Sequence, residues 1–224
     1  MNKEQILSVD NEFILNLKFN IYLFLKRIVD IFGALIGVIG LIPLSIIIKL
    51  MYVLSGDYDP IFFTQERIGQ YGKAFKFYKY RTMVPNADQK LEELLKKDKK
   101  AREEYDKYKK LENDPRVTKF GEILRKTSLD EFPQFINILF NDMSLVGPRP
   151  YLFREKKDMG RSFNEIIKVK PGLTGHWQVN GRSDTDFKER LVMDKEYIKI
   201  RGIRLDIKIF FKTFSSVLKR DGAK

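Results

Sequence analysis

The sequence predicts an α/β fold, mostly helical, in which an N-terminal re-entrant membrane hairpin packs on a small cytosolic domain. An uncharged apolar run near the N-terminus predicts the hairpin, and two aromatic-rich strand candidates followed by helical patterns predict the domain. With 224 residues the chain suits one compact domain, alone or with an appendage. A net charge of +12 indicates anionic partners, namely nucleic acid, phosphorylated metabolites or acidic lipid headgroups.

The apolar run covers residues 31–48 and carries no charge, so it is long enough to cross a bilayer at about 1.5 Å per residue. Basic residues flank both ends, with Lys26 and Arg27 before the run and Lys49 after it. Because positively charged flanks stay on the cytoplasmic side, both ends are expected on that face. This pattern favours a re-entrant segment over a membrane span.

Pro43 and Ser45 supply the point at which the helix would turn back. We therefore expect a helix-break-helix hairpin over residues 26–53. An interfacial extension over residues 1–25 would precede the hairpin, and the cytosolic domain would occupy residues 54–224.

The second strand candidate places aromatic and basic side chains on one face. By the period-2 alternation of a strand, Phe77, Lys79 and Arg81 point to the same side. The two cations are either solvated edge residues that discourage aggregation or ligands for an anion.

Two further segments predict helices at the surface. Residues 86–113 are dense in interspersed Lys and Glu, which predicts a solvated helical excursion or a lid whose charges have no chemical role. Residues 203–218 combine Ile and Phe with interspersed Lys, which predicts an amphipathic helix at the membrane surface.

Asp130 and Glu131 stand side by side in "RKTSLDEFPQF", although their charges repel. Ser128 and Glu131 fit a capping box, but Pro133 would then lie at the fifth position of the helix, where proline is unfavourable. If Asp130 is the cap, Pro133 falls in the first turn and is tolerated. Both alternatives put the acidic pair at a helix N-terminus, and a simple cap remains one explanation of it.

Arg149 lies between Pro148 and Pro150 in "GPRP". The two prolines restrict the backbone, so the guanidinium is presented with little backbone entropy left to lose. Arginine can form bidentate contacts with phosphate, which lysine cannot. A plain surface turn is the alternative.

The segment "KPGLTGHWQVNGR" gathers glycines around aromatic and polar residues. Such a loop allows close backbone approach, amide hydrogen bonds and stacking, which suit a nucleotide, although a tight structural loop with a buried tryptophan is equally compatible. The candidate nucleotide-contacting residues are Trp177, Gln178, Asn180 and Arg182.

Several kinds of site are excluded by composition. The chain has no cysteine and a single histidine, so neither a thiolate nor a multi-histidine metal centre can form within one chain. No P-loop and no Ser/His/Asp set is evident. The acidic pair among cations is therefore the strongest candidate for chemistry.

Six stretches follow one another along residues 24–218: the basic-flanked apolar run with Pro43, "QERIGQYGKAFKFYKYRTM", "DPRVTKFGEILRKTSLDEFPQFINIL", "DMSLVGPRP", "PGLTGHWQVNGR" and "DKEYIKIRGIRLDIKIFFKT". In this order they closely resemble the bacterial sugar transferases, also called monotopic phosphoglycosyl transferases. Members of that family move a sugar-1-phosphate from a UDP-sugar onto a polyprenyl phosphate, typically undecaprenyl phosphate. They act at the cytoplasmic face of the bacterial inner membrane, in the first membrane step of polysaccharide, capsule or glycoconjugate synthesis.

The resemblance implies a role for each matching residue. Asp130 would be the nucleophile that forms a covalent phosphosugar intermediate and expels UMP, and Glu131 would assist with Mg²⁺ or with the acceptor. Both carboxylates are the candidate metal ligands. The implied phosphate-binding residues are Arg125, Arg149, Arg81 and Lys79. Asn141 departs from the family motif, which usually has glycine at that position.

The expected partners are a UDP-sugar, polyprenyl phosphate and membrane lipids, with no nucleic acid; a homo-oligomer stays open. The rival interpretation is a membrane-anchored basic protein that binds nucleic acid or acidic lipid. An acidic pair set among cations serves an enzyme and hinders polyanion binding, which favours the first interpretation. The sequence does not specify the sugar.

Overall fold

The computed structural model describes residues 3–181 and 185–219, with the side chains of residues 14–181 and 185–216. The predicted α/β, mostly helical composition is confirmed. The α-helices are α1 (Lys3–Leu54), α2 (Ala87–Lys97), α3 (Lys99–Tyr108), α4 (Lys119–Lys126), α5 (Gln134–Leu139), α6 (Lys156–Met159), α7 (Ser162–Ile166), α8 (His176–Asn180), α9 (Phe187–Ile200) and α10 (Ile203–Lys219). Short 3₁₀ turns cover Gln70–Gly72, Leu129–Glu131 and Phe153–Glu155.

Within the described part of the chain, four strands form two small sheets. The predicted aromatic hairpin is confirmed: β1 (Phe62–Ile68) pairs antiparallel with β2 (Ala74–Tyr80). Strands β3 (Ser144–Val146) and β4 (Gly172–Thr174) pair in parallel. Because β1 and β2 pair in register along their whole length, the side chains of alternate residues share one face, and that face carries the candidate site.

Helix α1 remains helical across Pro43, so the predicted interruption at Pro43 and Ser45 is not confirmed. Packing accounts for the difference. Leu41 and Ile48, on either side of the proline, are buried in the same apolar cluster, which holds both arms against the domain although a backbone donor is missing. The Ser45 hydroxyl lies 2.7 Å from the Tyr80 hydroxyl.

Two glycines bring α1 into close contact with the domain. A Cβ at Gly33 would lie 2.7 Å from the Leu145 side chain, and one at Gly37 would lie 2.2 Å from the Phe135 ring. Such distances exclude any side chain at Gly37 unless α5 moves away. The helix therefore packs directly on α5 and β3.

Charged residues of α1 also face the domain. Lys26 Nζ lies 2.6 Å from an Asp206 carboxylate oxygen, and Arg27 donates to the Ile138 carbonyl at 2.8 Å. Asp30 is buried and accepts the backbone N–H of Leu145 at 2.8 Å. The basic residues that flank the apolar run thus bond to the domain.

The opposite face of α1 is apolar and exposed. One stretch of the described chain, Ile14–Leu54 within α1, is long and apolar enough to cross a membrane. Large exposed side chains line its free face: Val29, Phe32, Ile36, Ile39, Ile42 and Ile46. Helix α10 is similar, because Ile209 is buried whereas Phe211 and Phe214 are more than half exposed. Both helices present apolar surfaces that suit lipid.

The charged segment 86–113 folds as the predicted helical excursion, with α2 and α3. Two ion pairs fasten it to the domain: Lys109 to Asp158 at 2.9 Å, and Arg154 to Asp88 at 3.3 Å. These pairs are partly or largely exposed, so each contributes at most about 1 kcal/mol.

Candidate functional site

The acidic pair lies in the 3₁₀ turn Leu129–Glu131, which joins α4 to α5. The pair thus lies in the first turn of a 3₁₀ helix that directly precedes α5, and neither predicted side-chain cap is present. Ser128 takes a left-handed conformation, with φ 57°, and makes no side-chain cap, and Pro133 precedes α5 without capping it. Because no cap forms, Asp130 and Glu131 are available to other groups.

Lys79 on β2 bridges the two carboxylates. Its Nζ atom lies 3.1 Å from Asp130 Oδ2 and 2.7 Å from Glu131 Oε1. Asp130 is buried, with 6% of its surface exposed, whereas about a third of the Glu131 side chain, 33%, is exposed. The period-2 prediction thus placed Lys79 correctly on the face that meets the acidic pair.

Electrostatics couples these groups. Burial raises the pKa of the Asp130 carboxyl above its ordinary value, and the Lys79 ammonium acts to lower it again. Burial also lowers the pKa of Lys79, but the two carboxylates outweigh this, so that pKa lies above its ordinary value. Lys79 therefore stays charged and favours the ionised form of Asp130.

Arg125 lies in the last turn of α4, close to the pair. Its Nε atom donates to the Thr82 hydroxyl at 3.0 Å. Burial lowers the pKa of Arg125, and the charge of Asp130 opposes that shift. Gly121 permits the placement, because a Cβ there would lie 2.0 Å from the Thr82 carbonyl oxygen. Helix α4 thus lies directly on the chain that continues β2.

Arg81 is bound elsewhere. Its guanidinium pairs with Asp57 at 2.8 Å, donates to the Pro60 carbonyl at 2.9 Å and lies 4.8 Å from the centre of the Tyr52 ring. These contacts fasten the turn after α1 to the end of β2. The structure does not bring Arg81 into contact with the acidic pair.

Arg149 is held by buried carboxylates. Its Nη1 atom lies 3.2 Å from Glu155 Oε1, and its backbone N–H donates to Asp194 Oδ2 at 3.2 Å. Asp194 also accepts the Tyr151 hydroxyl at 2.7 Å. The guanidinium of Arg149, a predicted phosphate ligand, is therefore paired with the carboxylate of Glu155 instead of standing unpaired on a turn.

Arg67 on β1 was missed by the sequence reasoning. It stands opposite Phe75, so it shares the face of Lys79, and its guanidinium lies 5.1 Å from the centre of the Phe77 ring. Its Nε atom is buried without a partner in the described residues. Burial, together with Arg149, lowers the pKa of Arg67 to about 10. Period-2 alternation along β1 was the signal that could have found it.

The glycine-rich segment folds as β4 and the one-turn helix α8. Trp177 lies beneath the Arg190 guanidinium at 5.1 Å. Gln178 and Asn180 donate to backbone carbonyls of their own segment, at 3.4 and 3.1 Å. The contacts of Trp177 and Asn180 given above do not involve the acidic pair, and Arg182 lies outside the described residues.

The acidic pair has the oxygen donors that a hard cation requires. Asp130 Oδ2 and Glu131 Oε1 converge on one point, which the Lys79 ammonium fills. Within the described residues no cluster of three or more His, Cys, Asp or Glu is present. Two carboxylates suit Mg²⁺, which keeps several waters and takes further ligands from substrate phosphates.

Comparison with known proteins agrees with the resemblance. The family model described as bacterial sugar transferase matches residues 21–220. The chain is 44% identical over 200 residues to the UDP-galactose-lipid carrier transferase of Erwinia amylovora, and 46% identical over 200 residues to the undecaprenyl-phosphate galactose phosphotransferase of Salmonella typhimurium. Each alignment covers 89% of this chain but 42% of the relative. The exopolysaccharide production protein ExoY of Sinorhizobium fredii is 39% identical over 198 residues, covering 88% of this chain and 87% of the relative.

Proposed function

Because the chain belongs to the bacterial sugar transferase family, we propose that it transfers a sugar-1-phosphate from a UDP-sugar to a polyprenyl phosphate, undecaprenyl phosphate, and releases UMP. This is the first membrane step of polysaccharide or glycoconjugate synthesis. The observation that carries the proposal is the buried Asp130 beside Glu131, with Lys79 bonded to both. The names of the relatives above support the lipid acceptor. The rival, a basic binding protein, gains no support from these comparisons.

Asp130 is the proposed nucleophile. Its carboxylate oxygen attacks the phosphorus that bears the sugar, the bond from that phosphorus to the UMP oxygen breaks, and UMP leaves. An oxygen of the lipid phosphate then attacks the same phosphorus and releases Asp130. A carboxylate needs no general base when it is ionised, and Lys79 favours that form.

Glu131 and Asp130 would hold Mg²⁺, which would neutralise charge on the diphosphate. Lys79 and Arg125 lie nearest the carboxylates and are the proposed phosphate ligands. Arg81 and Arg149 are engaged in ion pairs, so we assign them to holding the chain around the site. The segment with Trp177 stays a candidate for the nucleotide.

We further propose that the protein is monotopic, on the cytoplasmic face of the bacterial inner membrane. Lys26 and Lys49 lie about 35 Å apart along α1, yet both bond to the same domain: Lys26 to the Val146 carbonyl at 2.8 Å and Lys49 to the Tyr58 carbonyl at 3.0 Å. A helix that crossed the bilayer would leave one of these ends on the other side. The exposed apolar face of α1 would instead meet lipid from the domain's own side, so both ends of the apolar run would stay on one face of the membrane although the helix is continuous.

The experiment that tests the activity is UMP release from a panel of UDP-sugars, with undecaprenyl phosphate, in detergent or lipid nanodiscs. We expect release with at least one donor, and UDP-galactose is tried first because two relatives are named for galactose. Absence of UMP with every donor would contradict the proposal, and DNA affinity that falls with salt would then favour the rival.

A further inference from the structure

We propose that Lys79 is a built-in counter-ion of the acidic pair, which a divalent metal ion must displace, so that the metal binds together with the donor diphosphate and not on its own. This inference rests on the proposed function, since it concerns the same site. It gives Lys79 a role beyond that of a phosphate ligand.

The geometry shows where the competition arises. Lys79 Nζ occupies the point on which Asp130 Oδ2 and Glu131 Oε1 converge, at 3.1 and 2.7 Å. Mg²⁺ binds its oxygen ligands at about 2.0–2.1 Å and demands near-octahedral geometry. A metal ion and an ammonium cannot share this point, because their positive charges repel at contact distance.

The side chain can move while its strand stays in place. Asn137 of α5 is fully buried; its Oδ1 accepts the Tyr78 N–H at 3.1 Å and its Nδ2 donates to the Lys76 carbonyl at 2.6 Å. These bonds fix β2 directly before Lys79. The flexible four-carbon stem of lysine then carries the ammonium to another anion.

The diphosphate provides that anion and the missing metal ligands. The acidic pair and Lys79 together carry one net negative charge, too little to hold a divalent ion tightly among few ligands. Apart from this pair, the described residues offer no cluster that would complete a protein-made metal site. When the donor binds, its phosphates ligate the metal and accept the displaced Lys79, so each ligand raises the affinity for the other.

The test measures Mn²⁺ binding to the full chain in nanodiscs, from the electron paramagnetic resonance signal of free Mn²⁺, with and without UDP. The wild type should bind Mn²⁺ at least about 10-fold more tightly when UDP is present. Lys79→Met, which has similar length and no charge, should bind Mn²⁺ without UDP at least about 10-fold more tightly than the wild type. Lys79→Arg keeps the charge and should show the weak wild-type binding.

The matched control is Lys76→Met, which removes the same charge from the exposed face of the same strand and should leave Mn²⁺ affinity unchanged. Equal or weaker Mn²⁺ binding by Lys79→Met would overturn the proposal, and so would tight wild-type binding that ignores UDP. If Mn²⁺ and UDP behave as expected but no donor yields UMP, the proposed function alone fails. If UMP is released but Lys79→Met leaves Mn²⁺ affinity unchanged, this inference alone fails.

Discussion

At the scale of single residues, the charge of Asp130 depends on its neighbour Lys79. Burial alone would favour the neutral carboxyl, which is a poor nucleophile, and the ammonium at 3.1 Å opposes that effect. The same ammonium lies 2.7 Å from Glu131 Oε1, so one side chain bridges the two adjacent carboxylates.

Replacing Asp130 by Asn should abolish turnover and leave the fold intact, because an amide oxygen is a poor nucleophile. We expect less than about a tenth of the wild-type rate of UMP release, a loss above ~1.4 kcal/mol. With labelled UDP-sugar and no acceptor, label should stay bound to the wild type and be absent from the variant. The control is Glu122→Gln, an exposed carboxylate of α4 paired with Lys126; a rate equally low there would mean that the loss is not specific.

Removing divalent cations should also stop UMP release, and added Mg²⁺ should restore it, since two carboxylates and a diphosphate suit a hard cation. Glu131→Gln should be impaired by at least about 10-fold, because one of the two oxygen ligands becomes a weaker amide donor. The measurement is UMP release against free Mg²⁺ concentration. Full activity in excess chelator would exclude a metal from the mechanism.

At the scale of elements, α1 and the helix after the acidic pair, α5, pack closely at a glycine. Gly37 of α1 faces the Phe135 ring of α5 with no room for a methyl group. A Cβ added at Gly40, one turn later, would lie 3.5 Å from the Phe132 ring, an ordinary contact distance. The two positions therefore form a matched pair for mutation.

Gly37→Ala should force α1 and α5 apart and destabilise the protein by about 1–3 kcal/mol, the usual cost of overpacking. Gly40→Ala should have little effect, because the added methyl group would lie at an ordinary van der Waals distance from Phe132. Thermal unfolding in one detergent, followed by circular dichroism, compares the two variants with the wild type. Equal unfolding temperatures for Gly37→Ala and Gly40→Ala would contradict the observed packing.

Asp194 of α9 should make stability depend on pH. Burial raises its pKa to about 7, although the bonds from Tyr151 and Arg149 lower it. The native state therefore binds this proton more tightly than the unfolded state does, so its contribution is full below the unfolded pKa near 4 and is lost as pH rises through 7. Unfolding temperatures of the wild type should fall between pH 5.5 and 8 relative to those of Asp194→Asn, where the amide oxygen can accept both bonds. Parallel curves would show that Asp194 does not titrate in this range.

Local patterns predicted part of this architecture. Period-2 alternation found β2 and the side on which Lys79 lies, and charge patterning found α2 and α3. Asn141 adopts φ 71°, the left-handed conformation that glycine takes freely and Asn tolerates, which explains how it replaces the glycine of the family motif.

Other features depend on contacts between distant parts of the chain. The bond that holds the Arg149 backbone comes from Asp194, 45 residues later, so the sequence around the prolines could not reveal it. The persistence of α1 at Pro43 depends on a cluster that includes Tyr80 and Leu124. A rule for single helices predicts an interruption there, because it takes no account of these partners.

At the scale of the whole molecule, the basic residues that flank the apolar run bond to the protein. Lys26, Arg27 and Lys49 all donate to the domain. These bonds support the proposal that both ends of the apolar run lie on one side of the membrane, even though the helix is continuous.

Cysteine labelling tests this topology, since the native chain has no cysteine. Gln5→Cys and Ser55→Cys should both resist an impermeant thiol reagent in intact cells whose outer face the reagent reaches, and both should react after the membrane is opened. If the contacts with the domain hold α1 in place, Pro43→Leu should leave this pattern unchanged. If Pro43 itself keeps α1 from crossing the membrane, Pro43→Leu should add labelling at position 5. Labelling at position 5 in otherwise wild-type intact cells would show that the helix crosses.

The packing of α1 on α5 also fixes the position of the acidic pair relative to the apolar face of α1. Phe132 follows Glu131 directly and packs against the cluster that includes Leu41 of α1, so the residue next to the acidic pair already touches α1. Because no linker separates this turn from α5, which packs on α1, Asp130 is held at a fixed position relative to the apolar face of α1. Under the proposed function and topology, an acceptor has to bring its phosphate to that position, which a long lipid tail does by partitioning and a water-soluble phosphate does not. Preference for a lipid-borne acceptor would then follow from the position of the site, before any pocket recognises the tail.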